Sequence, residues 1–270
     1  MKFKMALAIA GSDPSGGAGI QADIKTFTSL GIYCGAVITC LTVQNTFGVR
    51  EIIFLKPALV AEQLKAVFKD IDFSFVKIGM IGSEAIARAV SKYIDKKTVV
   101  YDPVMFSKKG FHLMKKKEIK EIKNLIIKKS TIITPNYPEL LELVERKTED
   151  PFKATEILLD EFLNLKAVLV KGGHWQENEN KVVDMLVLRN RGRVEKYYFR
   201  HKRIYTKNTH GTGCTLSSAI TAFLSMGKEI PEAVEQAIKY TYALIKKAAE
   251  VKIGKGNGAL PHFIMHPKNF

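Results

Sequence analysis

The chain has 270 residues and a formal net charge of +15, with 42 Lys and Arg against 27 Asp and Glu; 46% of it is hydrophobic, with 9 Pro and 19 Gly. That balance excludes a disordered, collagenous or low-complexity chain and leaves enough apolar side chains for one large α/β domain or two small ones. No apolar run approaches the roughly 20 residues needed to cross a bilayer, and three cysteines without paired spacing, Cys34, Cys40 and Cys214, predict neither a disulfide framework nor a zinc site, so the expected setting is a reducing cytoplasm.

The first apolar run, residues 4–10, reads as a buried strand and not as a signal peptide: it is short, and Gly11-Ser12-Asp13-Pro14 follows it at once. The glycine-rich stretch 11–19 opens a helix that carries Asp23. Residues 36–42 form the next strand. Val60, Leu64, Val67, Phe68 and Ile71 then fall on one face of an amphipathic helix. Strands over 75–78, 99–101, 131–134 and 167–170 alternate with helices over 83–94, 118–127, 138–144 and 153–162. Residues 182–188 and 194–200, joined by 189–193, read as an antiparallel hairpin closing one sheet edge. Two long helices follow, 213–226 and 231–251, with Pro231 in the first turn of the second. Near-continuous apolar strands imply burial on both faces, hence a doubly wound, mostly parallel sheet. Without repeat or linker, one domain spanning 1–270 is expected.

The positive surplus raises nucleic acid as a partner. Its lysines, such as Lys115, Lys116 and Lys117, lie in helix-like stretches with no interleaved aromatics. That pattern is a solvated surface, so no nucleic-acid partner is expected, and no membrane.

In sheets of this class ligands sit beyond the carboxyl ends of the strands. Those ends carry Gly11-Ser12-Asp13, Gln44-Asn45, Gly79-Met80, Asp102-Pro103, Pro135-Asn136 and Lys171-Gly172-Gly173. The first loop lacks the Lys-Ser/Thr of a P-loop and the G-x-G-x-x-G dinucleotide fingerprint. The segment Asn208-Thr209-His210-Gly211-Thr212-Gly213-Cys214-Thr215 precedes an apolar helix. A Gly-x-Gly turn there directs free N–H groups and the helix dipole at one point, an anion hole suited to a phosphoryl group. The same field is expected to lower the pKa of Cys214. His210 is expected to be structural. Asp102, Asn136, Glu139 and Lys171 lie at successive strand ends. Their oxygens suit magnesium, and the lysine suits nucleotide phosphates.

Taken together, residues 11–23, 41–46, 77–82, 101–105, 134–136, 170–174 and 209–215 resemble, in order, the motifs of hydroxymethylpyrimidine/phosphomethylpyrimidine kinases, thiamine-biosynthesis enzymes of the ribokinase-like superfamily. The resemblance spans essentially the whole chain. It implies a ribokinase-like α/β fold with a central mostly parallel sheet and helices on both faces. It implies transfer of the ATP γ-phosphoryl group to 4-amino-5-hydroxymethyl-2-methylpyrimidine and then to its monophosphate. By the same resemblance Asp23 and Gln44 contact the pyrimidine, with Gly11, Met80 and Val104 around it. Gly211, Thr212 and Gly213 form the anion hole beside Cys214. Asp102, Asn136 and Glu139 lie near Mg2+, Lys171 and Thr209 on the ATP side, and the enzyme is a homodimer. Sugar kinases of the superfamily carry an aspartate base where this chain has Cys214, and the pyrimidine kinases share the cysteine. The ending 254–263 matches only in part and receives no role. Competing readings are a pyridoxal or pyridoxine kinase of the same fold, a basic nucleic-acid-binding protein, and a silent ligand-binding regulator.

Overall fold

Neighbouring residues along each central strand are sent to two different cores. In β1 (Met5–Ser12), Leu7 and Ile9 pack into one, Ala6 and Ala8 into the other. This is the period-two consequence of a pleated strand covered on both faces. The computed structural model describes residues 3–106, 113–114, 116–172, 180–190 and 192–264. Gly173 and His174 of the lysine-glycine segment, Arg191 of the hairpin turn and Lys115 lie outside them.

The sheet has nine strands in the order β3-β2-β1-β4-β5-β6-β7-β8-β9. After β1 come β2 (Tyr33–Asn45), β3 (Gly48–Phe54), β4 (Phe75–Ile78), β5 (Thr98–Tyr101), β6 (Ile132–Ile133), β7 (Ala167–Val170), β8 (Lys181–Asn190) and β9 (Arg193–Lys202). From β2 to β7 all neighbours are parallel. β3 at one edge and the β8–β9 hairpin at the other are antiparallel. The mostly parallel sheet and its closing hairpin are as expected, whereas β3 is an addition. Its residues Arg50, Glu51, Ile53 and Phe54 are exposed. A ribbon solvated on its outer face carries too weak an apolar pattern to be read as a strand.

One face is covered by α1 (Gly19–Ser29), α7 (Thr212–Ser225) and α8 (Ile230–Ala248), through Phe27, Ile220, Phe223, Val234 and Leu244. The other is covered by α2 (Pro57–Asp70), α3 (Glu84–Ser91), α4 (Lys116–Ile126), α5 (Tyr137–Leu143) and α6 (Pro151–Glu161). Helix α7 is buried from Thr215 to Ser225 although rich in hydroxyls. Ser217 donates to the Gly213 carbonyl, Thr221 to Ser217 and Ser225 to Ala222. Bonding back along the helix satisfies groups that burial would otherwise penalise. No helix among the described residues is long and apolar enough to cross a membrane.

The ending after α8 straps the sheet's carboxyl side. Gly256 N–H donates to Thr46 Oγ1, Asn257 N–H to the Thr46 carbonyl, and His210 N–H to the Gly258 carbonyl. Asn208 ties this strap down, donating to the carbonyls of Ala248 and Val251. His262 is 3% exposed, with Nδ1 3.0 Å from the Leu260 carbonyl and Nε2 2.9 Å from Thr215 Oγ1. A carbonyl only accepts, so Nδ1 carries the proton and Nε2 accepts from the threonine. Burial, aided by the positive charge of Lys25, lowers the His262 pKa from 6.5 to about 4. The folded protein therefore keeps a neutral ring where the unfolded chain protonates. The stabilisation is complete above pH 6.5 and is lost as pH falls towards 4, at about 1.4 kcal/mol per pH unit. Thermal melts between these limits should show that slope diminished in His262→Gln. A variant melting in parallel with the wild type would contradict the assignment.

Candidate active site

The carboxyl ends of the parallel strands open on a cavity of about 510 Å3. At the end of β1 the glycine-rich turn is organised by one carboxylate. Asp13 Oδ1 accepts from Ser15 N–H and Oγ–H, and Oδ2 from the N–H groups of Gly17 and Ala18 and from His210 Nε2. Burial alone would raise the Asp13 pKa, but the bonds from His210, Ser15 and Ala18 outweigh it and hold it at about 2. Gln21 braces the same turn, accepting from Asp13 N–H and donating to Ser12 Oγ. His210 Nε2 also lies 2.9 Å from the Gln44 amide nitrogen. Gln44 reaches the cavity because it lies two residues beyond Thr42 on the same face of β2, and Thr42 also lines the cavity. Opposite it, β3 carries one extra residue, Arg50, between Glu51 and Val49, and Val49 lines the cavity as well.

Opposite this turn, Gly211 stands at the start of α7 with φ +82°, and a Cβ there would overlap the Gly17 carbonyl. Only glycine meets both conditions. A Cβ on Gly213 would lie 3.2 Å from Asp102 Oδ2 and 3.5 Å from Lys171 Nζ. The first N–H groups of α7, which have no preceding helical carbonyl to bond, therefore face a charged cluster. Lys171 Nζ donates to Asp102 Oδ1 at 2.6 Å and lies 3.7 Å from Glu139 Oε2. Thr134 Oγ1 donates to Asp102 Oδ1 as well, while the buried Asp102 Oδ2 has no hydrogen-bond partner among the described residues. Burial, with the Asp102 charge against the opposing Lys171, raises the Glu139 pKa to about 6.

Gly11, Gln44, Met80, Val104, Asp102, Asn136, Glu139, Lys171, Gly211, Thr212, Gly213 and Cys214 all line this one cavity. Thr209 does not; its carbonyl accepts the Thr212 hydroxyl at 3.2 Å. Asn136 and Glu139 form a capping box at α5, with Asn136 Oδ1 accepting from Glu139 N–H and Glu139 Oε2 from Asn136 N–H. Their oxygens are thus already committed to the helix start.

Two expectations need correction. Asp23 is fully buried and does not line the cavity: Lys77 Nζ binds its carboxylate at 2.8 and 2.9 Å, and Ser218 Oγ donates to it. Cys214, half-buried, has its thiol pKa pushed up to about 11, not down. Desolvation outweighs the nearby Lys77 ammonium, and Asp23 and Asp102 add to the rise. The helix N-terminus is local, but those carboxylates come from other elements. The sequence reading also missed Lys77. A lysine between Val76 and Ile78 in a strand buried on both faces was the available signal.

A cation-bearing cavity at the carboxyl edge of a parallel sheet, ending at a glycine-opened helix, is the site of a small-molecule kinase of ribokinase-like fold. The chain belongs to the phosphomethylpyrimidine kinase family, whose model matches residues 13–261. It is 39% identical to the hydroxymethylpyrimidine/phosphomethylpyrimidine kinase of Salmonella typhimurium over 96% of this chain and 97% of that one. The crystal structure of phosphomethylpyrimidine kinase from Clostridium difficile superposes with a TM-score of 0.75 at 40% identity, covering 90% of this chain and all of the other. The pyridoxal kinase of Staphylococcus aureus in complex with AMP-PCP and pyridoxal gives 0.84 at 28% identity, covering 97% and 94%. Backbone likeness thus extends across two substrate classes, so the side chains of the cavity must separate them.

Proposed function

We propose that this enzyme phosphorylates the hydroxymethyl group of 4-amino-5-hydroxymethyl-2-methylpyrimidine with ATP, and then its monophosphate to the diphosphate, in thiamine biosynthesis. The observation that carries this reading is the juxtaposition, in one cavity, of the Gln44 amide with the α7 turn and the Lys171–Asp102 pair. Gln44 offers a donor and an acceptor to an aminopyrimidine edge, and Met80 and Val104 supply apolar flanks. The N–H groups of the 211–214 turn take up charge on the transferred phosphoryl group, and Lys171 neutralises the nucleotide phosphates. Cys214, held as a thiol, positions the acceptor hydroxyl. Thr209 shapes the turn through its carbonyl.

Magnesium bound with ATP would supply further neutralisation of the phosphates. Among the described residues no group of three His, Cys, Asp or Glu forms a ready metal cage. The orphaned Asp102 Oδ2, with Glu139 beside it, nevertheless suits an ion that keeps most of its ligands as water and phosphate. Asn136 would serve by holding Glu139. A homodimer is supported by the face of β2 and β3 turned away from the cavity, where Leu41, Val43 and Ile53 are exposed on a sheet edge. The free thiols of Cys34, Cys40 and Cys214 suit the cytoplasm.

ADP release measured with the hydroxymethylpyrimidine, its monophosphate and pyridoxal tests the substrate. Turnover should be highest with the first two; preference for pyridoxal would overturn the assignment and leave the kinase class standing. Gln44→Ala should raise the KM for the pyrimidine roughly tenfold or more, the cost of a lost polar contact, with the KM for ATP nearly unchanged. Equal losses of both would contradict the role of Gln44.

A further inference from the structure

Three elements meet one helical turn behind Cys214. On α7, Ser218 is four residues beyond Cys214 and so lies on the same helix face. On α1, Asp23 is four residues beyond Gly19, whose backbone N–H acts to lower the Cys214 pKa. On β4, Lys77 stands in register with Ala8 of β1 and Val100 of β5 and turns to the α1–α7 side, where it is fully buried. The three join at one carboxylate, since Asp23 accepts from Lys77 at 2.8 and 2.9 Å and from Ser218 at 2.8 Å. Nothing in the substrate reading uses this cluster.

We propose that Lys77, paired with the Asp23 carboxylate that Ser218 also holds, is a positioning residue for phosphoryl transfer: it fixes the carboxylate through which α1 and α7 are tied together, and it holds a fixed positive charge behind the anion-binding turn. The proposal rests on the reading of that turn as the phosphoryl site. A sealed ion pair of this kind adds little net stability compared with apolar packing, because desolving two charges costs about what their attraction returns. Its value lies in direction. The ammonium is the end that acts more strongly on Cys214, so the pair's field adds to the two helix dipoles that converge there. Inside the fold the charge is screened less than a surface lysine would be. The other charged groups facing Cys214 are Asp102 beyond β5 and Lys171 beyond β7, and neither belongs to the pair.

The Cys214 thiol serves as a built-in reporter of this potential. Its alkylation by iodoacetamide, followed by mass spectrometry of the Cys214 peptide against pH, reads the local field without any need for turnover. Lys77→Met should slow alkylation at pH 8 roughly tenfold, one unit of thiol acidity, and Asp23→Asn should speed it by a similar factor. Shifts of opposite sign from the two halves of one ion pair are not produced by loss of packing alone. Should Lys77→Met fail to fold, Asp23→Asn is compared with the Asp23→Asn/Lys77→Met double variant, which differs only in the ammonium. The double should react roughly tenfold more slowly than Asp23→Asn. In steady-state assays the same comparison should lower kcat and leave the pyrimidine KM within about twofold, because the lost interaction acts on the transition state. Equal alkylation rates, or shifts of the same sign, would overturn the proposal. If alkylation shifts as expected while no pyrimidine is phosphorylated, the electrostatic role stands and the substrate assignment fails.

Discussion

Lys171→Met is expected to lower turnover on the order of 10²–10³-fold and to destabilise the fold by about 3 kcal/mol. The two losses have different origins. Turnover falls because the ammonium beside Gly213 no longer meets the phosphates. Stability falls because Asp102, 1% exposed, loses the 2.6 Å bond that balances its charge. Its Oδ2 is already unpartnered, and Glu139 lies beside the same lysine, so the substitution leaves two buried carboxylates to repel each other. The double variant Lys171→Met/Asp102→Asn separates the origins. Removing the stranded charge should restore most of the melting temperature and none of the turnover. Wild-type melting in the single variant would show that the pair is held too loosely to matter.

Gly211→Ala should cost on the order of 10²-fold in kcat while the protein remains folded. A left-handed residue with a side chain costs about 1–2 kcal/mol, well within the stability of a chain this size. The larger effect is displacement. A Cβ at Gly211 overlaps the Gly17 carbonyl, so the α7 turn and the glycine-rich turn must move apart. A shift of about 1 Å between groups that must converge on one phosphoryl suffices for a loss of that size. Steady-state kinetics and thermal melting on the same preparation check the split. Retained kcat with a lowered melting temperature would place the phosphoryl site elsewhere.

The alternation of strands and helices was legible in the sequence because each central strand is an apolar run and each helix carries an amphipathic stripe. The strand-end clusters were legible for the same reason: once the strands are placed, the polar residues that follow them must share one edge. What escaped notice was set by contacts across the chain. Asp23 could be read as solvated or as a ligand-binding group, and its true partner is 54 positions away on β4. The Cys214 environment was inferred from its own helix terminus, whereas the carboxylates and desolvation that govern it arrive from α1 and the end of β5. Strand β3 escaped because its pairing with β2 rests on backbone hydrogen bonds, with half its side chains in water. Asn136 and Glu139 show the opposite case. Their spacing spells a capping box as plainly as it suggests magnesium, and local geometry alone could have favoured the cap.

The turn gathered around Asp13 has a thermodynamic consequence for ligand capture. Loops that close on a ligand surrender their freedom at the moment of binding, at about 1–2 kcal/mol for each residue fixed. Here five donors converge on one carboxylate before any ligand arrives. The ordering of residues 13–18 is therefore charged to folding and not to association. Ligand-free and ligand-bound forms should superpose over this turn, and its amides should resist hydrogen exchange to the same degree in both. Calorimetry of pyrimidine binding should then show a heat-capacity change set by the apolar surface the ring covers, with no added contribution from a loop that folds on arrival.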